Sequence, residues 1–213
     1  MFFVLRRWSW LVAIAIALAA CQTTGTDQTA KSAASAPGLS YPDGAYPITS
    51  GYGSWRGINK SFKRPGPHPG VDISAPTGTP VYATEFGKVT FVGLDPGNYM
   101  GRCGTSIRFV TTRAGTLHVA HCHLASTLVE QGDYVKAGQK IGTVGSSGST
   151  NIPHLHFEVR NRDFEVLDPT GYLFGSNGLA ECVDPSQEYT PGRAHYAKQE
   201  GRPVFLYPVA CTN

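Results

Sequence analysis

Short runs of alternating apolar and polar residues, each bounded by glycine, proline or aspartate, recur along the chain after residue 45. In such a run, successive side chains point to opposite faces of a strand. Several short strands at this spacing predict an antiparallel all-β domain. The runs lie at residues 48–53, 79–83, 87–93, 105–110, 117–124 and 153–160.

The run at residues 153–160 presents two histidines on one face of its predicted strand. His154, His156 and Glu158 share that face, whereas the opposite face is apolar and predicts a buried side. Imidazoles at this spacing can converge on one metal ion, or on one ion and its bound water. Two exposed surface histidines are the alternative, because a short motif of this kind often occurs by chance.

A second histidine pair lies near the end of the run at residues 117–124. Alternation predicts that His121 and His123 share one face of that strand, opposite His118 and Cys122. If this face looks into a metal cleft, we expect both His121 and His123 to point into it.

His68 and Asp72 supply an imidazole and a carboxylate four residues apart. Pro69 and Gly70 between them argue against a helix, so a turn leading into a strand must bring the two side chains together. A turn aspartate that accepts hydrogen bonds from nearby amides is the alternative for Asp72. Together with the histidines at 154–156, these residues complete the ligand set of a tetrahedral metal site.

Composition and charge agree with a strand-rich domain and leave its partner open. The 213 residues suffice for one domain with extensions, and 25 glycines and 15 prolines at a charged fraction of 15% favour strands joined by turns. A net charge of +3 would help docking on an anionic polymer. Because no basic run with interleaved aromatic residues is present, we expect no nucleic-acid binding.

The first residues have the features of an export signal. Arg6 and Arg7 precede an apolar run at residues 11–18, and the sequence Leu-Ala-Ala-Cys then ends at Cys21. This segment resembles the signal of bacterial lipoproteins, which implies a signal peptide at residues 1–20 and a lipid on Cys21. An ordinary cleaved signal followed by a chance cysteine is the alternative.

The lipoprotein resemblance also implies a location and a domain order. Gln22 does not resemble the inner-membrane retention signal, so a lipid anchor in the outer membrane, facing the periplasm, is favoured. The small polar residues that follow predict a flexible tether over residues 21–44. We expect the main domain at residues 45–173 and an irregular extension at residues 174–213, which wraps the domain or covers part of its groove with His195.

Apart from Cys21, the chain has four cysteines: Cys103, Cys122, Cys182 and Cys211. In an oxidising periplasm such an even set predicts two disulfides, for which three connectivities are possible. We favour Cys103 with Cys122, because they lie on neighbouring predicted strands. Cys182 with Cys211 would then hold the C-terminal extension. Zinc ligation by cysteine is a competing hypothesis, but the sequence has no C-x-x-C.

From about residue 46 to residue 172 the chain resembles the lysostaphin/LytM-type zinc metallopeptidases of bacterial cell walls. The motifs that carry the resemblance are His68-x-x-x-Asp72, His123-Leu124 after a strand, Val-Lys-Ala-Gly-Gln-Lys-Ile-Gly at 135–142, and the segment 145–159 that ends in Pro-His-Leu-His-Phe-Glu-Val. The resemblance implies a compact antiparallel β fold with a groove. It also implies zinc held by His68, Asp72 and His156, with His123 and His154 as the catalytic residues that flank the bound water.

The residue types fit that chemistry. Three protein ligands leave a position for water, whose pKa zinc lowers to about 7. Neutral histidines beside the water can take its proton or hydrogen-bond the oxyanion, and the sequence leaves open whether His123 or His154 takes the proton. Glu158 is expected to form a hydrogen bond to one of the metal ligands without contacting the metal, or to lie on the surface. At His121 the family usually has an aromatic residue, so packing, a polar role in the cleft and pH-sensitive modulation all stay open.

Together these inferences predict a zinc metalloendopeptidase that hydrolyses peptide cross-links or stem peptides of peptidoglycan in the periplasm. By resemblance, the bond between D-alanine and diaminopimelate is favoured. The alternative is a non-catalytic envelope lipoprotein of the same fold that activates a cell-wall amidase. Such relatives usually lack one of the ligand positions, whereas the five histidine and aspartate positions are intact here. A role beside other envelope machinery is compatible with the enzyme.

Overall fold

The computed structural model describes residues 41–54, 67–95, 102–111, 116–174, 178, 180–187 and 204–212. Within these ranges eleven strands and one short helix form the fold. They are β1 Ile48–Ser50, β2 Val71–Ile73, β3 Pro80–Tyr82, β4 Gly87–Leu94, β5 Thr105–Thr111, β6 Leu117–Cys122, β7 Leu124–Thr127, β8 Tyr134–Val135, β9 Lys140–Val144, β10 Leu155–Arg160, β11 Val166–Leu167 and α1 Thr170–Leu173. None of the helical residues in these ranges forms a segment long and apolar enough to cross a bilayer.

The named strands pair only in antiparallel fashion, which confirms the predicted all-β fold class. One sheet has the strand order β1-β2-β10-β6-β5-β4-β8, and β11 pairs with the end of β10. The second sheet has the order β3-β9-β7. Alternation along β10 buries Leu155, Phe157 and Val159 in the main core, as the sequence predicts. The other face of β10 is therefore left for His156 and Glu158.

The prediction of a single strand at 117–124 is wrong, because the strand is interrupted at His123. Residues 117–122 form β6 in the larger sheet, whereas β7 starts at Leu124 and pairs with β9 in the smaller sheet. His123 between them has a backbone φ of 63°, in the left-handed region. Strict alternation cannot continue through such a residue, so His121 and His123 lie in different environments.

The C-terminal extension contributes to the core as well as to the surface. Phe205, Tyr207 and Val209 are fully buried and belong to the main apolar cluster. Backbone hydrogen bonds join residues 204–212 to the edge strand β3, including one from Tyr82 N to Pro208 O at 2.9 Å. The extension was expected to wrap the domain, but its end completes the fold. His195 lies outside the described residues.

The start of the folded region also differs from the prediction. Tyr41 packs edge-on against Phe174 and Tyr207, with ring centroids 5.1 and 6.3 Å apart. The Tyr207 hydroxyl donates a hydrogen bond of 2.6 Å to the carbonyl oxygen of Tyr46. The packed part of the chain therefore begins by Tyr41, inside the predicted tether, because the C-terminal residues provide an apolar surface for it.

Two disulfides connect the cysteines in the pairing that the sequence analysis favours. Cys103 is bonded to Cys122 and Cys182 to Cys211. The first joins the residues just before β5 to the end of β6, on the face of the sheet that carries His156. The second joins two parts of the C-terminal extension. Cys21 lies outside the described residues.

Candidate metal centre

Three potential metal ligands meet where β2 pairs with β10. Asp72 on β2 lies opposite His156 on β10, and a turn before β2 brings in His68, as the sequence predicts. Gly70 allows this close approach, because a Cβ atom there would lie 2.9 Å from Cγ of Glu158 and 3.1 Å from Cε1 of His156. Any larger residue would push the turn away from β10.

The donor atoms have the spacing of one face of a tetrahedral site. Nδ1 of His156 lies 2.8 Å from Oδ1 of Asp72, and Nε2 of His68 lies 3.0 Å from Nδ1 of His156. Nε2 of His68 is 3.2 Å from Oδ1 of Asp72. Ligands at about 2.0–2.1 Å from a tetrahedral zinc ion are themselves about 3.3 Å apart. These three side chains, all buried, can therefore contact one ion.

Hydrogen bonds on the far side of each imidazole fix which nitrogen faces the centre. Nδ1 of His68 lies 3.0 Å from the carbonyl oxygen of Gly51, and Nε2 of His156 lies 3.3 Å from Oε1 of Glu158. Because carbonyl and carboxylate oxygens only accept, these nitrogens donate and the inner nitrogens carry lone pairs. Two lone pairs and the Asp72 carboxylate thus face one another, an arrangement that a cation stabilises. The donor set fits zinc.

The electrostatics of the triad keep its aspartate ionised. Burial alone would raise the pKa of Asp72, but the imidazoles of His156 and His68 hold that pKa well below its usual range. Burial would likewise lower the pKa of His156, yet the carboxylates of Asp72 and Glu158 raise it. A proton therefore competes with a metal ion for the inner nitrogen of His156 as the pH falls.

His123 and His154 form a second pair beside the triad. Their ring centroids are 4.7 Å apart, and Nε2 of His154 is 3.7 Å from Oδ1 of Asp72. Nδ1 of His123 donates a hydrogen bond of 2.8 Å to the carbonyl oxygen of Ser147. Nδ1 of His154 donates one of the same length to the carbonyl oxygen of Ile152. Each Nε2 is then an acceptor in the neutral ring. Burial lowers the pKa of His123 to about 4, so this imidazole is neutral at pH 7 and can accept a proton.

The left-handed turn at His123 is held from two sides. The backbone N–H of His123 donates 2.7 Å to the carbonyl oxygen of Cys103, which is disulfide-bonded to Cys122. Cys122 in turn lies opposite His156 in the β6–β10 register. A non-glycine residue at positive φ is uncommon, and such residues concentrate at functional sites. The disulfide thus fixes the backbone from which His123 reaches the centre.

His121 does not point into the cleft, so its predicted role as a cleft modulator is wrong. It lies opposite Phe157 on the core face of β10 and is fully buried. Its ring stacks on Phe109 at 5.7 Å and meets Phe157 edge-on at 5.2 Å between centroids. Of the alternatives for this residue, the structure supports packing, in the place of an aromatic side chain.

The sequence and the fold both match a known peptidase family. Residues 66–169 match the model of Peptidase family M23. The structure aligns with the catalytic domain of the antimicrobial peptidase lysostaphin from Staphylococcus simulans at a TM-score of 0.50 and 36% identity, covering 58% of this chain and 89% of that domain. The chain belongs to peptidase family M23.

Two further relatives of this M23 chain have names that mention zinc or peptidoglycan. A zinc-containing peptidase from Vibrio cholerae aligns at a TM-score of 0.50 and 33% identity, covering 61% of this chain and 37% of that one. Peptidoglycan DD-endopeptidase ShyB of Vibrio cholerae is 37% identical over 132 residues, which are 57% of this chain and 29% of ShyB. The M23 family is zinc-dependent, in agreement with the donor set described above. This chain spans less than half the length of the curated relatives that it matches first.

Sequence reasoning missed the groups that orient the M23 histidines. The carbonyl oxygens of Gly51, Ser147 and Ile152 hold the outer nitrogens of three of them. Backbone acceptors have no side-chain signature, so a motif search cannot find them. Arg160, whose Nε donates 2.9 Å to Oε2 of Glu158, was also missed, although its position two residues after Glu158 places both on one face of the strand.

Proposed function

We propose that this chain is a zinc-dependent peptidoglycan endopeptidase. One observation carries the proposal: His68, Asp72 and His156 converge within hydrogen-bonding distance of one another, directly beside the pair His123 and His154. A structural metal site is usually closed by four protein ligands, whereas three ligands with two acceptor imidazoles alongside suit a hydrolytic site.

His68, Asp72 and His156 would hold the ion. When bound, zinc supplies a Lewis acid that polarises the scissile carbonyl and lowers the pKa of an attacking water to about 7. The carbonyl of Gly51 and the carboxylate of Glu158 keep the two ligand imidazoles in the metal-binding tautomer. The Asp72 carboxylate adds one negative charge to an otherwise neutral ligand set.

His123 and His154 would manage the protons of the reaction. In the neutral tautomer set by Ser147 O and Ile152 O, Nε2 of each accepts a proton. Once protonated, the same nitrogen can hydrogen-bond a developing oxyanion or return the proton to the departing amine. His123 is the better candidate for the base, because its backbone is the more rigidly held.

The proposed substrate is the peptide part of the wall, and the proposed bond is that between D-alanine and diaminopimelate. ShyB, a relative at 37% identity, carries the name DD-endopeptidase. We further propose export to the periplasm and attachment to the outer membrane through a lipid on Cys21, which rests on the Leu-Ala-Ala-Cys sequence and on Gln22. A lipid anchor with a polar tether would restrict hydrolysis to wall near the membrane.

A muropeptide digest tests the enzyme directly. Purified cross-linked peptidoglycan is incubated with the zinc-loaded full chain in mild detergent, with a chelated sample, with His154→Ala and with Tyr134→Ala as an exposed control on the far strand β8. We expect cross-linked dimers to be converted to monomers by the wild type and the Tyr134 variant only. Product masses then identify the bond. Unchanged dimers in all samples would contradict the proposal and favour an amidase activator.

A further inference from the structure

A cavity of about 440 Å³ opens on the same face of the larger sheet as the metal centre. Its volume lies in the range of small-ligand sites. The side chains that shape it come from β4, β5, β6, β10 and the turn after β10: Phe91, Arg108, His118, Ala120, Arg160 and Phe164. None of them belongs to the metal triad or to the histidine pair beside it.

The cavity continues the surface that carries the metal centre. Along β10 that surface reads His156, Glu158 and Arg160, at alternate positions of one strand. Glu158 lies between the two sites, bonded to His156 Nε2 at 3.3 Å and to Arg160 Nε at 2.9 Å. Since a strand rises about 3.3 Å per residue, Glu158 and Arg160 lie roughly 7 and 13 Å along the strand from His156. An extended peptide has nearly the same rise, so a side chain two to four residues from the scissile bond would reach the cavity.

Two guanidinium groups, each in an ion pair with a buried carboxylate, line one wall of the cavity. Arg108 donates 2.8 Å to Asp95, and its guanidinium lies 4.6 Å over the ring of Phe91. Arg160 is held by Glu158 and by the carbonyl oxygen of Phe164. The acidic partners are buried, with side chains 1% and 2% exposed, whereas the Arg108 and Arg160 side chains are 16% and 17% exposed. In each ion pair the guanidinium is the more exposed partner, so it is the group that a ligand in the cavity would contact.

The remaining walls are apolar and aromatic. Phe164 stacks on His118 with ring centroids 4.1 Å apart, and Ala120 leaves room at the floor. Phe164 is held at a φ of 62° in a tight turn after β10, and the residue is 48% exposed. A large apolar residue in a left-handed conformation is uncommon, and here it places a ring over the cavity instead of into the core.

We infer that this cavity is a substrate subsite for an aliphatic side chain that ends in a carboxylate, on a peptide residue two to four positions from the scissile bond. The aromatic walls suit the methylene stem, and the guanidinium wall suits the carboxylate. Among the residues of the wall stem peptide, the diaminopimelyl residue has this chemistry, because its aliphatic side chain ends in a carbon that carries a carboxylate and an amine. The inference rests on the proposed function, because only a wall peptide aligned on the metal centre brings such a side chain here. A neutral sugar ring could stack on Phe164, but it gives no role to two oriented guanidinium groups.

Calorimetric titration of the full chain in mild detergent tests the subsite without relying on turnover. The probes are the stem tetrapeptide L-alanyl-γ-D-glutamyl-diaminopimelyl-D-alanine, the same peptide with the side-chain carboxylate of diaminopimelate amidated, and a wall disaccharide without peptide. Two variants alter the cavity: Phe164→Gly, which removes the ring and tolerates the positive φ, and Arg108→Gln with Asp95→Asn, which removes both charges of a buried pair together. Tyr134→Ala is the matched exposed aromatic control.

We expect the acidic peptide to bind about tenfold more tightly than the amidated one. Arg108→Gln with Asp95→Asn should remove this preference, Phe164→Gly should weaken the binding of both peptides by a similar factor, and Tyr134→Ala should leave binding unchanged. Equal binding of acidic and amidated peptides, unchanged binding in both variants, or tighter binding of the disaccharide would each overturn the subsite. If the double variant does not fold, Phe164→Gly decides alone.

The muropeptide digest, run on the same preparations, separates this inference from the proposed function. If peptidoglycan is digested but the acidic peptide is not bound selectively, the subsite is overturned and the proposed endopeptidase activity stands. If the acidic peptide is bound selectively, this binding is lost in the cavity variants and peptidoglycan is not digested, the endopeptidase activity is overturned. The cavity would then be supported as a peptide-binding site.

Discussion

His121 and His123 are two residues apart, yet the protein uses them in opposite ways. His121 is enclosed by Phe109 and Phe157 in the core, where its ring lies near the Tyr82 backbone but makes no close hydrogen bond among the described residues. His123 donates to Ser147 O and lies against His154. Both have a lowered pKa because of burial. Burial and a perturbed pKa therefore do not identify a functional histidine, whereas the partner of each ring nitrogen does.

The difference arises in the backbone. His121 lies in the regular part of β6, whereas His123 lies at positive φ where the chain leaves one sheet for the other. Four kinds of variant would break or sharpen the contrast between these two residues.

Replacing His123 should have the largest effect on activity and little effect on stability. In His123→Asn the side chain tolerates the left-handed backbone but cannot act as the base, so we expect kcat to fall roughly 10²–10⁴-fold. The unfolding midpoint in urea should stay close to that of the wild type. Activity within a factor of three of the wild type would remove His123 from the mechanism.

Replacing His121 should show the reverse pattern. His121→Ala leaves a cavity between two phenylalanine rings, and the free energy of unfolding should fall by about 2–4 kcal/mol. The specific activity of the protein that remains folded should be unchanged. Urea unfolding monitored by circular dichroism measures the loss, and Tyr134→Ala on the surface should stay within about 0.5 kcal/mol of the wild type. A selective loss of kcat in His121→Ala would contradict its structural role.

The two disulfides should separate stability from activity in a similar way. Their sequence separations are 19 and 29 residues, so removing either one should reduce stability by about 3 kcal/mol. Only Cys103→Ser with Cys122→Ser loosens the turn that holds His123, and we expect its kcat to fall about tenfold as well. Equal kcat values for this variant and for Cys182→Ser with Cys211→Ser, measured well below both unfolding temperatures, would argue against that anchoring role.

The smallest effect near neutral pH is a pH dependence of stability that His121 introduces. Burial lowers the pKa of His121 to about 3, below the value of 6.5 for an exposed imidazole. The unfolded chain therefore binds a proton more readily, so stability is complete above pH 6.5 and is lost as the pH falls towards about 3, by roughly 1.4 kcal/mol per pH unit. His121→Phe should remove this loss, making the variant the more stable protein at pH 5. Parallel stability curves for the two proteins between pH 5 and pH 8 would contradict the burial of a neutral imidazole.

Alternation and turn signals predicted most of the fold, whereas the family resemblance singled out His68, Asp72 and His156 as zinc ligands, which stays a prediction. The split of β10 into an apolar and a polar face, and the turn between His68 and Asp72, follow from local rules and were confirmed. The burial of His121 in the core could not be predicted in this way. The left-handed residue His123 reverses the alternation of faces, and no side-chain type in the sequence signals a left-handed backbone at that position. The contribution of residues 205–209 to the core was also missed, because it depends on a pairing with β3 across more than a hundred residues of sequence.

Zinc content is the most direct test of the central claim, that His68, Asp72 and His156 hold one ion beside a separate catalytic pair. Wild type, His156→Ala and His123→Asn are dialysed against a series of zinc buffers, and bound metal is measured by mass spectrometry. We predict about one zinc per chain for the wild type and for His123→Asn, with affinity at least about 100-fold weaker in His156→Ala. Wild-type zinc affinity in His156→Ala, or loss of zinc from a folded His123→Asn, would contradict this assignment.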